Sequence, residues 1–188
     1  MKQKSSFTMI ELLVVLAIIG LVLGISAPAI NSAIKKAKVS EGTKLIYKVM
    51  EYAGNFASGH GTGTMVVFAT SNLTSGDGTA YRAYKVYVPG TGPFNGTVED
   101  WQFLPLGAVV DSDSSISTVL QNTQSINFPD DDSATQASVA YVNFGPEGTA
   151  KQTASVHVID AGDSSCFRYI TYQSTGGGIR IYGLGEEP

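Results

Sequence analysis

Apolar residues are concentrated in one segment near the start of the chain. Between Leu12 and Ile34 no residue is charged. As a helix, about 23 residues exceed the ~30 Å hydrocarbon core of a bilayer. Lys2 and Lys4 precede the segment and should stay cytoplasmic by the positive-inside rule. The pattern therefore predicts a single membrane-spanning helix over about residues 7–34, with the rest of the chain on the far side of the membrane.

The helical pattern continues beyond the apolar segment. As far as about Phe56, apolar residues recur at three- and four-residue spacing while lysines occupy the other face. We therefore predict one long helix over residues 7–58, apolar in its first half and amphipathic in its second. Pro28 removes an intrahelical hydrogen bond, so we expect a kink there.

Residues 59–188 follow a different pattern, in which short β-type runs alternate with Gly, Pro, Asn and Asp turns. The predicted strands are 64–70, 80–88, 138–144, 153–160, 167–173 and 178–182. The second mixes tyrosines with charges, as a half-exposed strand would. Residues 99–133 are less regular and should hold long loops with one or two strands. The predicted fold class is α+β, a long N-terminal helix packed on a β-rich globular domain of antiparallel sheets.

A distinct motif stands at the start of the apolar segment. Ser6 and Phe7 are followed by Thr-Met-Ile and then by Glu11. A carboxylate at bilayer depth costs on the order of 2.5 kcal/mol or more unless it is paired or interfacial, so Glu11 requires an explanation. The motif resembles the processing and assembly motif of type IV prepilins and pseudopilins, although Ser6 stands where that family usually has Gly.

This resemblance implies several steps of maturation and assembly. Residues 1–6 would be a leader peptide that a prepilin peptidase removes between Ser6 and Phe7, followed by N-methylation of Phe7. Glu11 would then pair with the N-terminal amine of a neighbouring subunit, which offsets its cost and sets the axial register. An ordinary anchor with an interfacial Glu11 is the alternative.

Three further residues in the apolar segment bear on assembly. Gly20 and Gly24 form a G-x-x-x-G pattern, which allows helices to approach closely in a membrane. Pro28 stands where pilins commonly have a proline, and the resemblance implies local unwinding there when the subunit enters the filament.

A cleaved secretory signal is a competing interpretation of the same segment. Two lysines precede an apolar core, and Ala27-Pro28-Ala29 imitates a signal-peptidase site. Cleavage there would release a secreted binding module that begins after Ala29. This interpretation leaves Glu11 unexplained, and its apolar core is longer than usual.

Two motifs in the C-terminal part narrow the resemblance. Phe144, Pro146 and Gly148 mark a strand that enters a tight turn, and Gly176 precedes a final strand that contains Arg180. Both resemble the ending of H-type minor pseudopilins, the GspH/FimT family.

That family resemblance implies a structural minor pseudopilin of a type II secretion pseudopilus, which supports export of folded proteins across the outer membrane. Its implied partners are other pseudopilins, the prepilin peptidase, the inner-membrane assembly platform and membrane lipid. It would cross the bacterial inner membrane once, with its globular domain in the periplasm. The alternative within the family is a minor pilin of a type IV pilus, serving adhesion, motility or DNA uptake.

The charge of the globular part argues against nucleic-acid binding. From Asn55 onward the chain has five basic residues against thirteen acidic ones, the wrong sign for binding phosphates. Basic residues are concentrated instead on the helix, where lipid head groups or neighbouring subunits are the expected partners. These residues are Lys35, Lys36, Lys38, Lys44 and Lys48.

The sequence contains no pattern typical of catalysis. Weak calcium candidates are Asp111, Asp113, Asp130, Asp131 and Asp132, but none lies in an EF-hand pattern, and solvated loop acids are the simpler interpretation. His60 and His157 have no metal-ligand companion at helical or hairpin spacing. Cys166, the single cysteine, is expected to act as a small buried hydrophobe. We therefore predict no enzyme and no cofactor.

Overall fold

The computed structural model describes residues 8–70, 80–90, 96–126, 128, 137–174 and 178–184. The chain forms two compact units, Met1–Ile34 and Lys35–Pro188. The first contains the apolar start of a long helix, and the second contains the end of that helix together with the described strands.

The N-terminal helix α1 spans Met9–His60 and continues without interruption through Pro28. Up to Ile34 its side chains are exposed, except for half-buried Ser26, whose hydroxyl donates to the carbonyl oxygen of Val22. The helix is long and apolar enough to cross a membrane. A kink at Pro28 remains a prediction.

The second half of α1 buries one face against the sheets. Its buried positions recur every three or four residues, the spacing of a single helical stripe. They are Val39, Gly42, Thr43, Ile46, Val49, Met50, Ala53, Gly54 and Ala57. The Thr43 hydroxyl donates to the carbonyl oxygen of Val39 at 2.7 Å, which satisfies this polar group inside the core.

Among the described residues the strands form two antiparallel sheets. The first has the order β3 (Gly96–Thr97), β2 (Ala83–Val88), β1 (Thr64–Ala69), β7 (Ala137–Phe144) and β6 (Thr123–Ile126), with β4 (Gln102–Phe103) also paired to β2. The second has the order β10 (Arg180–Ile181), β9 (Asp163–Tyr172), β8 (Ala154–Asp160) and β5 (Ala108–Val110). A 3₁₀ helix spans Thr118–Gln121.

One core lies between α1 and the inner faces of both sheets, with Met50, Val66, Val142, Val156 and Ile170 fully buried. A smaller cluster covers the other face of the first sheet. It contains Met65, Val67, Ile126, Phe128 and Val139, with Trp101, Tyr87 and Tyr141 packed against it. The predicted α+β class is confirmed, and the six predicted strands are present with ends that differ by a few residues.

The prediction that β2 is half-exposed was wrong. Lys85 on this strand is only 2% exposed, and Arg82, just before the strand, is only 9% exposed. The Lys85 ammonium lies 4.3 Å from the centroid of the Phe128 ring and 4.8 Å from that of Trp101. The Nε of Arg82 donates to the carbonyl oxygen of Leu104 at 2.7 Å. Cation–π contacts and this hydrogen bond offset the cost of burying the charges.

The region 99–133 also differs from its prediction. Its described residues form three short strands, β4, β5 and β6, where one or two were predicted. Each has two to four residues and pairs with a longer strand. Runs this short carry no clear alternation, so their partners rather than their own sequences determine them.

Candidate assembly site

Glu11 lies in the first turn of α1 and is hydrogen-bonded to Thr8. The backbone N–H and the hydroxyl of Thr8 both donate to Oε2 of Glu11, each at 2.8 Å. In return, Oγ1 of Thr8 accepts from the backbone N–H of Glu11 at 3.3 Å. This is the reciprocal arrangement of a capping box, which satisfies backbone donors that a helix start otherwise leaves unpaired.

The capping box leaves part of the Glu11 carboxylate available. Within residues 8–70 and the other described ranges, Oε1 of Glu11 accepts no hydrogen bond. The other carboxylate oxygen, Oε2, accepts both hydrogen bonds from Thr8, and these bonds orient the Glu11 carboxylate. A cation that approaches the helix start could therefore pair with Oε1. Ser6 and Phe7 lie outside the described residues.

Sequence reasoning overlooked Thr8, although a signal for it was present. A Thr followed three residues later by Glu, just before an apolar run, is the capping-box pattern. Gly20 and Gly24 lie further along the same exposed segment of α1, and a Cβ atom on either would meet nothing within 4 Å. A close helix contact at these glycines remains a prediction.

The first C-terminal motif forms a tight turn between β7 and β8, as predicted. Gly148 donates its N–H to the carbonyl oxygen of Gly145 at 2.8 Å, and Gly145 donates to that of Thr149 at 2.9 Å. Gly148 has a φ of 81°, a conformation that favours glycine. The two strands belong to different sheets, so the turn joins the first sheet to the second.

This turn touches the backbone of α1. A Cβ on Gly148 would lie 2.7 Å from the carbonyl oxygen of Gly54, and one on Gly54 would lie 2.8 Å from that of Gly148. Real Cβ atoms do not approach oxygen so closely, so only glycine fits both positions. Gly54 was not singled out from the sequence, where it is one glycine at the end of a helical pattern.

The second C-terminal motif is only partly described. Arg180 begins β10 and is exposed, paired through its backbone with Thr171 of β9. Gly176 lies outside the described residues, so the predicted turn there is not tested. Phe144 precedes the first turn and is buried, whereas Pro146 lies within the turn and is exposed.

One of the helix lysines is bound within its own unit. The Lys35 ammonium lies 3.2 Å from Oδ2 of Asp163 and 4.0 Å from Oδ1 of Asp160. Hydrogen bonds from the side chains of Ser165 and Lys35 lower the pKa of Asp163. Lys35 was expected to meet lipid or a neighbour, and the structure pairs it with the β8–β9 hairpin instead.

The calcium candidates are used in other contacts where they are described. Oδ1 of Asp111 accepts from the N–H of Asp113 at 3.0 Å, and Asp113 accepts from the N–H and hydroxyl of Ser115. The bonds from Ser115 lower the pKa of Asp113. The described part of the chain holds no group of three or more potential metal ligands. Asp130, Asp131 and Asp132 lie outside it.

His157 lies on β8 and is buried. It is 4% exposed, and its Nδ1 lies 2.8 Å from Oδ2 of Asp111. Its ring stacks on that of Tyr169 at 4.3 Å between centroids. Burial results from residues that are distant in sequence, since Asp111 precedes His157 by 46 positions. Cys166 packs against the core but is half-buried rather than buried as predicted, and desolvation raises the pKa of its thiol.

A groove of about 430 Å³ lies between α1 and the β7–β8 turn. Its lining includes Glu51, Glu147 and buried Tyr172, whose pKa is raised by burial. The described lining has no histidine, cysteine, lysine or arginine. The groove is therefore acidic, in agreement with the charge argument against phosphate binding.

Two comparisons with known proteins agree with these observations. Residues 1–27 match the prokaryotic N-terminal methylation motif. The fold is similar to the crystal structure of the type IV minor pilin FimU of Pseudomonas aeruginosa strain PAO1, with a TM-score of 0.52 and 11% identity over 81% of this chain and 93% of that one. At this identity the likeness shows the fold alone. No curated protein sequence matches the chain. The predicted resemblance to type IV pilin-like proteins is confirmed in motif and in fold.

Proposed function

We propose that this type IV pilin-like chain is a structural minor pseudopilin, which joins a type II secretion pseudopilus through its N-terminal helix and supports export of folded proteins across the outer membrane. The observation that carries the proposal is Glu11, a carboxylate at the start of an exposed apolar helix, held in place by Thr8. Such a group is costly in a membrane unless a cation pairs with it.

The proposed partner for Glu11 is the amine of a neighbouring subunit. Cleavage between Ser6 and Phe7 would place a new N-terminal amine just before the capping box of each subunit. Because Thr8 binds Oε2, the geometry leaves Oε1 to accept an amine from the next chain. A charge-assisted pair of this kind would set the axial register of adjacent helices. Prepilin peptidase and an inner-membrane assembly platform are the further proposed partners.

A minor pilin of a type IV pilus is the second candidate. The fold similarity to FimU, itself a type IV minor pilin, favours it. Both candidates share the same processing, the same membrane helix and a globular domain in the periplasm. The acidic groove and the acidic globular sequence support a protein-binding role over a DNA-binding one in either filament.

Removing the charge of Glu11 tests assembly. Glu11→Gln preserves the shape of the side chain, so we expect normal membrane levels but recovery in sheared filaments reduced by about tenfold or more, because a hydrogen bond to a charged group is lost. Thr8→Val removes one of the two bonds to Oε2 and should give an intermediate loss. Glu41→Gln, an exposed acid on α1 outside the acidic groove, is the matched control and should assemble normally.

Wild-type recovery of Glu11→Gln in filaments would refute the assembly role. The two candidate filaments can be separated in a host that makes both. Recovery of the chain with the major pseudopilin supports the secretion role, and recovery with the major pilin supports the pilus role.

A further inference from the structure

Two turns of the globular unit meet the first lysines of its helix segment. The turn 105–107 and the hairpin turn 160–163 are joined by a hydrogen bond of 2.7 Å from the N–H of Ala161 to the carbonyl oxygen of Gly107. Lys35 binds Asp163 on the second turn. We call these two turns, together with Lys35, Lys36 and Lys38, the base of the globular unit.

The base lies next to the end of the apolar segment along the chain. Lys35 follows Ile34 directly in the chain. Asp163, which binds the Lys35 ammonium, is therefore linked through one side chain to the residue that follows the apolar segment. Within the globular unit, the turn 105–107 and the residue before it pack against the α1 segment that contains Lys38 and Gly42. A Cβ atom added to Gly42 would lie 3.5 Å from the Leu104 side chain. One added to Gly107 would lie 3.4 Å from the Lys38 ammonium.

An apolar side chain projects into solvent at this place. Leu106 is 64% exposed, more than any other large hydrophobic side chain described beyond Ile34. Gly107, with a φ of 93°, forms the turn that presents it. A single exposed leucine is ordinary on a protein surface. Here the turn that carries Leu106 meets Lys38, four residues after the apolar segment ends at Ile34, and this position gives the leucine significance.

We propose that the base is a membrane-contact surface, in which Leu106 enters the head-group region of anionic phospholipid while Lys36 and Lys38 lie against lipid phosphates. Two observations favour lipid as the occupant. The base is continuous in sequence with the segment that enters the membrane, and its three lysines outnumber Asp160 and Asp163. An apolar tip flanked by cations is the usual composition of a surface that rests on anionic lipid.

The inference rests on the proposed function, because it requires the apolar segment to be inserted in a membrane. It adds a second contact with the bilayer that must break when the subunit moves into a filament. The base would thus hold the globular unit at the membrane surface before assembly.

Site-specific fluorescence on the full chain tests the contact. In a Cys166→Ser background, Leu106→Cys is labelled with an environment-sensitive dye and the protein is reconstituted in nanodiscs of phosphatidylcholine, with or without phosphatidylglycerol. Labels at Leu16→Cys and at Asn55→Cys report lipid and water, respectively. We expect acrylamide to quench position 106 about twofold or more weakly than position 55 in anionic discs, with Lys36→Gln reducing this protection.

Each other outcome has a definite meaning. Quenching at 106 equal to that at 55, with Leu16→Cys protected, would overturn the membrane contact while leaving insertion intact. Quenching at all three positions would instead contradict the proposed membrane-anchored function. Equal protection of 106 in discs without phosphatidylglycerol would overturn the role of the lysines. Protection that appears only with another pilin-like chain present would make the base a protein contact and overturn the lipid assignment.

Discussion

Gly148 joins the β7–β8 turn to α1, and replacing it by alanine should loosen this junction. Two costs combine at this position. An L-residue at a φ of 81° is in the left-handed region, which costs about 1–2 kcal/mol. The new Cβ would also lie 2.7 Å from the carbonyl oxygen of Gly54, so backbone must move. Overpacking of this kind costs about 1–3 kcal/mol.

Gly61→Ala is the matched control for the conformational cost. Gly61 has a φ of 61°, and a Cβ there would meet nothing within 4 Å. Gly61→Ala should therefore destabilise the fold only through the left-handed conformation of the alanine, by about 1–2 kcal/mol. Gly148→Ala should lower the free energy of unfolding by about 2–5 kcal/mol, the sum of the conformational and overpacking costs. For a chain of this size about 1 kcal/mol corresponds to roughly 2–4 °C in Tm, which predicts losses of about 10 °C and about 5 °C respectively.

Thermal unfolding of the full chain in detergent measures both variants. The single Trp101 is half-buried beside Phe128 and reports on the globular unit by its fluorescence. Equal Tm losses for Gly148→Ala and Gly61→Ala would refute the argument, because the difference between them isolates the contact of the turn with α1.

Two further predictions concern charged groups of the globular unit. Since Ser165 and Lys35 lower the pKa of Asp163, this carboxylate stabilises the fold above the unfolded pKa of about 3.9, and the stabilisation disappears as the pH falls through the lowered value. Asp163→Asn should therefore lower the Tm at neutral pH but not in strong acid, and a pH-independent Tm difference would contradict the ion pair. Asp111→Ala leaves the buried His157 without its carboxylate, which should cost about 1–3 kcal/mol in urea unfolding. Adding His157→Phe should recover part of this loss, and no recovery would count against the pairing.

Long, regular patterns in the sequence predicted the fold well. The helical repeat of α1 extends over many turns, and the longer strands alternate clearly enough to be located from their own residues. The motif around Glu11 was visible because one carboxylate interrupts an uncharged segment. Thr8 could have been identified by the same local reasoning, since it stands three residues before Glu11.

Features that depend on distant partners were not predictable. Lys85 lies in a strand that looks half-exposed, and it is buried because Trp101 and Phe128 cover the outer face of its sheet. The pairing of His157 with Asp111 depends on β5, which pairs with β8 and brings the residue after it beside the imidazole. The alternation of side chains along a strand shows which residues share a face of that strand. It does not show which other elements cover each face.

The central claim is that the chain matures as a prepilin, and the mass of the mature N-terminus in a native membrane preparation tests it most directly. We predict a chain that begins at Phe7 with a methylated amine, which keeps Thr8 and Glu11 at the start of the helix. A terminus near Ala29 or Ile30 would contradict the account, because Phe7 and Glu11 would be absent and the acidic β-domain would be a secreted binding protein.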